Sequence, residues 1–364
     1  MTDNLRISRT PCRCWATAAL LALGLLATAC SSAPSPQPAA ATDSGIPTAA
    51  EATGTRFMVA TADPAASEAA LAMLRKGGSA VDAAVAAQAV LGLVEPQSSG
   101  IGGGAFLLHW DGVAQKLTAL DGRETAPKSA HGDLFLDRDG KPLDFMDAAL
   151  SGRSVGVPGV LRVLELAHRR DGRLPWADLF QPAIDLAENG FPVRPQLAAL
   201  LAANQDLKGD PATRAYFYDA AGNPWPAGAI LRNPAYAETL RAIAERGADA
   251  FYGGPIALAI LAKVNEDGTA HMSAMDLLDY RARERQVLCG PYRAFEVCSM
   301  GPPTSGGIAL LQILGILRSF DLAPMNPNGA LPFHLIFQKG RLYYDLRVVK
   351  IFHIVNQKIG LSGQ

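Results

Sequence analysis

Charge is scarce in this chain and neither sign prevails. Only 18% of the 364 residues are charged, and the formal net charge is −1. No basic stripe is left for a phosphate backbone, which excludes nucleic acid as a partner on electrostatic grounds. Histidine is equally sparse. His109, His131, His168, His271, His334 and His353 are scattered, with no pair at i, i+4 and no His-Glu-x-x-His. A metal site needs convergent ligands, so no metal is expected, and no cofactor requirement is visible. Internal repeats are absent too. What is present is glycine (35) and proline (25) without low complexity, and 49% hydrophobic residues. That composition suits a turn-rich α/β or α+β protein with one large core or two modest ones.

Cysteine is the next scarcity, with five residues. Cys12 and Cys14 lie in a segment that reads as an export signal over residues 1–30. Arg6, Arg9 and Arg13 form its basic region, and Trp15 to Ala27 an Ala/Leu-rich run too short to span a bilayer comfortably. It ends in Ala27-Thr28-Ala29-Cys30, which resembles a bacterial lipoprotein signal. That resemblance implies lipidation of Cys30 and a periplasmic or membrane-anchored product. Ordinary cleavage near the same alanines is the alternative. Cys289 and Cys298 remain. Two short apolar strands joined through Gly290-Pro291 would bring their sulfurs together, and an oxidising periplasm would let them bond. Two free, buried thiols are the other reading.

Residues 31–53 are rich in Ala, Pro, Ser and Thr and read as a flexible tether. The ordered part is expected to begin with a short strand over Arg56–Ala60. A helix follows from Pro64 to Lys76, closed by Gly77-Gly78, and a second, capped by Ser79, runs from Ala80 to Leu93. Its alanines leave little polar surface, so it should be buried. Phe106–Trp110 and Lys116–Leu120 flank Asp111-Gly112 and read as a hairpin. Apolar spacing predicts further helices over Val160–Arg170, Trp176–Asn189, Ala235–Arg246, Pro255–Val264 and Ile308–Phe320, with a short turn segment at Met275–Leu278. Helices dominate and strands come as isolated hairpins, so the fold class is α+β.

Three motifs carry possible chemistry. Gly100, Gly102 and Ala105 have the Gly-x-Gly-x-x-Gly/Ala spacing of dinucleotide sites, but such a site needs a strand before and a helix after. Here the order is inverted, which favours a backbone crossing too tight for Cβ atoms. Gly152-Arg153-Ser154-Val155-Gly156 matches the nucleophile elbow of serine hydrolases. The segment before it is a poor strand, and Pro158-Gly159 delays the helix that should follow. Arg123 lies in Asp121-Gly122-Arg123-Glu124-Thr125-Ala126-Pro127. A planar, permanently charged guanidinium suits a substrate carboxylate; spacing alone equally allows a polar turn in which Arg123 pairs with Asp121 or Glu124.

The stretch Val94-Glu95-Pro96-Gln97-Ser98-Ser99-Gly100-Ile101-Gly102-Gly103-Gly104, the Arg123 motif, Gly77-Gly78-Ser79-Ala80-Val81-Asp82, Phe251-Tyr252-Gly253-Gly254 and Pro302-Pro303-Thr304-Ser305-Gly306-Gly307 stand in one order. Together they resemble the large-subunit portion of the γ-glutamyltransferase (glutathione hydrolase) family, over about residues 54–345. The resemblance implies a part of an N-terminal-nucleophile hydrolase, a four-layer αββα sandwich, helix-rich in this portion. It implies cleavage of γ-glutamyl amides such as glutathione, with transfer of the glutamyl group to water, amino acids or peptides. In the family the nucleophile is a threonine freed at the start of a small subunit, whose α-amino group acts as base. No residue of this chain matches it, so no catalytic residue is assigned here. Arg123 matches the family's large-subunit arginine that holds the γ-glutamyl α-carboxylate. Ser154-Val155-Gly156-Val157-Pro158-Gly159 matches a glycine-proline turn.

The sequence departs from the family pattern near Leu342, and residues 346–364 read as a divergent tail. The expectation is a truncated product, inactive alone and of poor stability unless a complementing small subunit is encoded. Other readings are an acylase of the same superfamily acting on glutaryl or cephalosporin side chains, a non-catalytic lipoprotein that binds γ-glutamyl compounds, and, more remotely, a serine hydrolase using Ser154.

Overall fold

The computed structural model describes residues 53–326 except His271, together with residues 329–331, 334 and 335. The signal with Cys30, the tether up to Ala52 and the tail 346–364 lie outside the described residues. Every element named below belongs to the unit that begins at Thr55.

Helix α1 (Pro64–Arg75) opens on a proline that needs no N–H partner, and the Asp63 carboxylate accepts from Ala65 N at 2.7 Å. It stops ahead of Gly77, which turns the chain at φ +89°. Helix α2 (Ala80–Val94) starts with a reciprocal box, Ser79 Oγ accepting from Asp82 N and the Asp82 carboxylate from Ser79 N. Asp82 is 0% exposed and also accepts from Arg173 N and Leu174 N, at 3.0 and 3.2 Å. One carboxylate thus caps α2 and holds a loop ninety residues away.

Strands β1 (Ala105–Asp111) and β2 (Lys116–Gly122) form an antiparallel hairpin with Ala105 opposite Gly122. Helix α3 (Phe145–Leu150) leads to a 3-10 turn at Gly152–Ser154, then comes α4 (Val160–Asp171). The segment expected as one helix from Trp176 to Asn189 is divided. A 3-10 turn covers Trp176–Leu179, and α5 covers Gln181–Asn189. Pro182 lacks the N–H that would continue the ladder. Strands β3 (Phe191–Pro192) and β4 (Ile230–Leu231) pair across an insertion carrying α6 (Pro195–Ala203) and α7 (Pro211–Phe217). Four helices come next: α8 (Pro234–Arg246), α9 (Asp249–Tyr252), α10 (Gly254–Val264) and α11 (Ala274–Asp279). Strand β5 (Arg283–Arg285) joins β2, giving the sheet order β1-β2-β5. Strands β6 (Val287–Tyr292) and β7 (Phe295–Met300) form a second hairpin, and α12 (Gly306–Leu317) packs on both.

The main core joins α1, α2, α4, α5 and α8 through Met73, Val85, Val90, Leu161, Phe180, Leu240 and Ile243, all under 2% exposed. Leu120, Val163 and Ala167 seal β2 against α4. In order of contact the layers run α4, β1-β2-β5, β6-β7, α12. That is the helix–sheet–sheet–helix sequence of an αββα sandwich, and the class is α+β with helix predominant.

Two local expectations are corrected. Residues Arg56–Ala60 form no strand: the segment has no ladder partner among the described residues, and Val59 packs on the core while Met58 stays exposed. Gly290-Pro291 is not the turn of the cysteine hairpin, because both lie inside β6. The chain reverses at Arg293-Ala294, with Arg293 at φ +54°.

Candidate active site

The residues that frame Arg123 come from four places in the chain. It lies directly after β2, whose register against β1 and β5 sets where the strand ends. From there a strap over residues 121–128 crosses the molecule and is fastened along its length. Arg123 N donates to Asp121 Oδ1 at 2.9 Å, and Asp121 Oδ2 receives Arg285 of β5 through Nε at 2.8 Å. The Tyr280 hydroxyl, just past α11, donates to the Arg123 carbonyl at 2.7 Å. Thr125 exchanges backbone hydrogen bonds with Val157, 3.3 and 2.8 Å. Lys128 N donates to Asp276 Oδ1 at 3.0 Å.

The electrostatics keep these fastenings in one protonation state. Burial pushes the Tyr280 hydroxyl up to about 12, and the neighbouring carboxylates of Asp121 and Glu124 add to that. Tyr280 therefore keeps its proton and donates at neutral pH. Burial works against ionisation of Asp276, but hydrogen bonds from Lys128 and Ser273 outweigh it and hold the carboxyl below its usual range.

With Asp121 occupied by Arg285 and by the strap backbone, the polar-turn reading of Arg123 loses its partner. Arg123 is exposed, and among the described residues its guanidinium makes no hydrogen bond or ion pair. Glu124 is not its partner either. The Glu124 side chain lies over the glycine loop, and a Cβ at Gly104 would stand 2.8 Å from Glu124 N and closer still to its carboxylate. The loop 100–104 is therefore a close-packed crossing, with α2 before it and β1 after it. The N-terminus of α4 meets the loop, but Gly159 N and Val160 N are taken by the Gly103 carbonyl at 2.9 and 3.1 Å, and the element that follows the loop is a strand, so the dinucleotide reading fails on geometry. A cavity of about 410 Å³ opens beside this loop, lined by Gln88, Ser98, Ser99, the loop glycines and Glu124. Arg123, one residue away, does not line it.

Ser154 sits in the 3-10 turn, 2.9 and 3.0 Å from the carbonyls of Ala149 and Ser151. No histidine approaches it among the described hydrogen bonds, and no strand delivers it, so it is not a nucleophile elbow. Cys289 and Cys298 are joined in a disulfide where the β6–β7 register sets them opposite each other. With Glu296 they form the one cluster of metal-capable donors among the described residues, and the bond leaves their sulfurs no thiolate to offer a metal. His109 pairs with Asp171 at 3.3 Å, and His168 lies 2.9 Å from the Leu174 carbonyl. His271 and His353 lie outside the described residues.

Sequence reasoning missed Tyr280, Arg285 and Asp276 at this site. Each is more than 145 residues from the strap position it fastens, and Tyr280 and Arg285 stand in no local motif. The one local signal is at Asp276, which with Ser273 forms the capping box of the short segment at Met275–Leu278, part of α11.

Comparison with known proteins bears on the same region. The family model for Gamma-glutamyltranspeptidase matches residues 66–357, which includes the whole strap and runs past residue 345. Over 287 residues the chain is 38% identical to the glutathione hydrolase proenzyme of Bacillus subtilis strain 168, a match covering 79% of this chain and 49% of that protein. It is 35% identical over 304 residues to the acylase ACY 1 proenzyme of Pseudomonas sp. strain V22, covering 82% and 54%. The chain spans about half the length of the curated relatives it matches. Its fold superposes on the gamma-glutamyltranspeptidase of Helicobacter pylori with a TM-score of 0.75 at 30% identity, covering 81% of this chain and 84% of that one. By sequence and by fold, this chain belongs to the gamma-glutamyltranspeptidase family.

Proposed function

We propose that the chain is the large-subunit portion of an enzyme that cleaves γ-glutamyl amides such as glutathione and passes the glutamyl group to water, amino acids or peptides. Its own contribution is to hold the substrate by the α-carboxylate through Arg123. The observation that carries this reading is an exposed guanidinium without an internal partner, on a strap whose backbone is fastened on both sides of it. An arginine whose backbone is fastened and whose guanidinium has no hydrogen-bond or ion-pair partner among the described residues is free to take a carboxylate in a bidentate grip. The nucleophile would come from a small subunit. In support, Ser154 donates to backbone carbonyls, and among the described hydrogen bonds no serine or threonine hydroxyl meets a histidine. Export through the signal, with lipidation at Cys30, belongs to the same proposal.

Calorimetry on the exported chain tests it. L-Glutamate should bind, 4-aminobutyrate, which lacks the α-carboxylate, should not, and Arg123→Ala should abolish the glutamate signal. Equal binding by wild type and Arg123→Ala would refute the assignment. The chain alone should give no turnover of a γ-glutamyl anilide, and measurable release of the aniline would refute that part. The similarity to an acylase supports a second reading, a glutaryl or cephalosporin side chain in the same grip. Glutarate competing as well as L-glutamate would favour it.

A further inference from the structure

We propose that Tyr280 is a positioning residue for the substrate arginine: its hydroxyl fixes the backbone of Arg123 and so sets where the guanidinium meets a carboxylate. The inference rests on the carboxylate-binding reading of Arg123 given above.

The geometry is specific to this hydroxyl. Tyr280 is 6% exposed, and its hydroxyl donates to the Arg123 carbonyl at 2.7 Å across 157 residues of sequence. Its ring stacks on Tyr252 with centroids 6.1 Å apart and planes 12° from parallel. Tyr252 is itself fixed, by a 2.9 Å hydrogen bond from its hydroxyl to the Pro158 carbonyl and by the Arg162 guanidinium 4.3 Å from its ring centre. Helix α4, which carries Arg162, therefore braces the ring that braces Tyr280. Space for the hydroxyl is provided by Gly159, where any Cβ would fall onto both the Tyr280 hydroxyl and the Gly122 carbonyl.

Asp121, held by Arg285, restrains Arg123 from its N–H side, while Tyr280 restrains it from the carbonyl side. The peptide units on either side of the Arg123 Cα are thus both fastened. The side chain keeps its own rotamer freedom, but the direction in which it leaves the backbone does not wander. A bidentate contact is sensitive to that direction, because both N–H groups must meet both oxygens.

The test uses the exported chain and L-glutamate as probe, with calorimetry and a thermal melt on each variant. Tyr280→Phe keeps the stacked ring and removes only the hydroxyl. It should weaken glutamate binding about tenfold. A double-mutant cycle with Arg123→Lys separates positioning from general damage. The effect of Tyr280→Phe should shrink to less than about twofold once the guanidinium is gone, because a single-point ammonium does not depend on the fork direction. Hydrogen exchange of a peptide spanning residues 122–126 should speed up in Tyr280→Phe while α1 and α2 stay protected.

Unchanged glutamate affinity in Tyr280→Phe would overturn the proposal and leave the Arg123 reading standing. An equal loss in both arginine and lysine backgrounds would overturn it too, by assigning Tyr280 a purely structural role. Glutamate binding that survives Arg123→Ala would instead refute the underlying reading, and the positioning role with it.

Discussion

Gly159 shows how tightly the residues around the strap constrain one another. A methyl group there meets the Gly122 carbonyl and the Tyr280 hydroxyl, one of them backbone and the other pinned by its own hydrogen bond. Neither can yield, so Gly159→Ala should cost about 2–4 kcal/mol, as overpacking against rigid neighbours does. Gly132→Ala, with nothing within 4 Å of the added carbon, is the control and should be neutral in the same urea titration. Tyr280 adds a pH signature. Its folded value lies near 12, above the ordinary tyrosine value of 10.0. The neutral hydroxyl is therefore favoured by folding, so its stabilisation is complete below pH 10 and is lost as pH rises towards 12. Stability should fall across that window, with Tyr280→Phe removing roughly 2 kcal/mol of the fall at most. A slope identical in both proteins would contradict the assignment. Of this candidate site the sequence points to Arg123 alone, by resemblance of its surrounding motif. Tyr280 and Arg285 were hidden, since a hydrogen bond across more than 150 residues leaves no local pattern.

At the scale of elements, Asp82 links the start of α2 to the loop after α4. It is wholly buried and accepts from Ser79 N, Arg173 N and Leu174 N at 2.7, 3.0 and 3.2 Å. Removing the buried carboxylate takes the acceptor from three part-buried donors at once, so Asp82→Ala should destabilise by about 2–4 kcal/mol. Ser79→Ala, which loses only the cap, should cost about 1 kcal/mol. Comparable urea midpoints for the two variants would show that the long-range contacts contribute nothing. Helix starts were the most legible elements, because Asp63-Pro64 and Ser79 with Asp82 satisfy N-terminal donors locally. Strand β5 was illegible. Arg283-Glu284-Arg285 has no apolar alternation, and it is a strand because β2 offers it a ladder and Asp121 an ion pair. The opposite error at Arg56–Ala60 has the same cause, a strand-like sequence without a partner to pair with.

For the molecule as a whole, the sheet β1-β2-β5 ends on β1, so one side of that strand has no ladder partner among the described residues. Leu108 and Trp110, two apart and hence on one face, are 41% and 54% exposed. An apolar face next to an open sheet edge invites pairing with another chain. The chain alone should therefore bind a hydrophobic naphthalene sulfonate dye and sediment as more than a monomer as concentration rises. Leu108→Lys should reduce both. Tryptophan emission gives an independent reading of the same surface. Trp176 and Trp225 are half-buried, with their ring N–H groups donating to the Ile243 and Tyr216 carbonyls at 3.0 Å each. Trp110 is the exposed one among the described residues, so in a chain freed of residues 1–30, which carry Trp15, iodide should quench chiefly its emission, and Trp110→Phe should remove most of the quenchable fraction. If a small subunit completes the proposed enzyme by closing this sheet, its addition should shield Trp110 from iodide and abolish dye binding in step with the gain of γ-glutamyl transfer. Transfer activity gained with Trp110 still open to iodide would place the partner on another face.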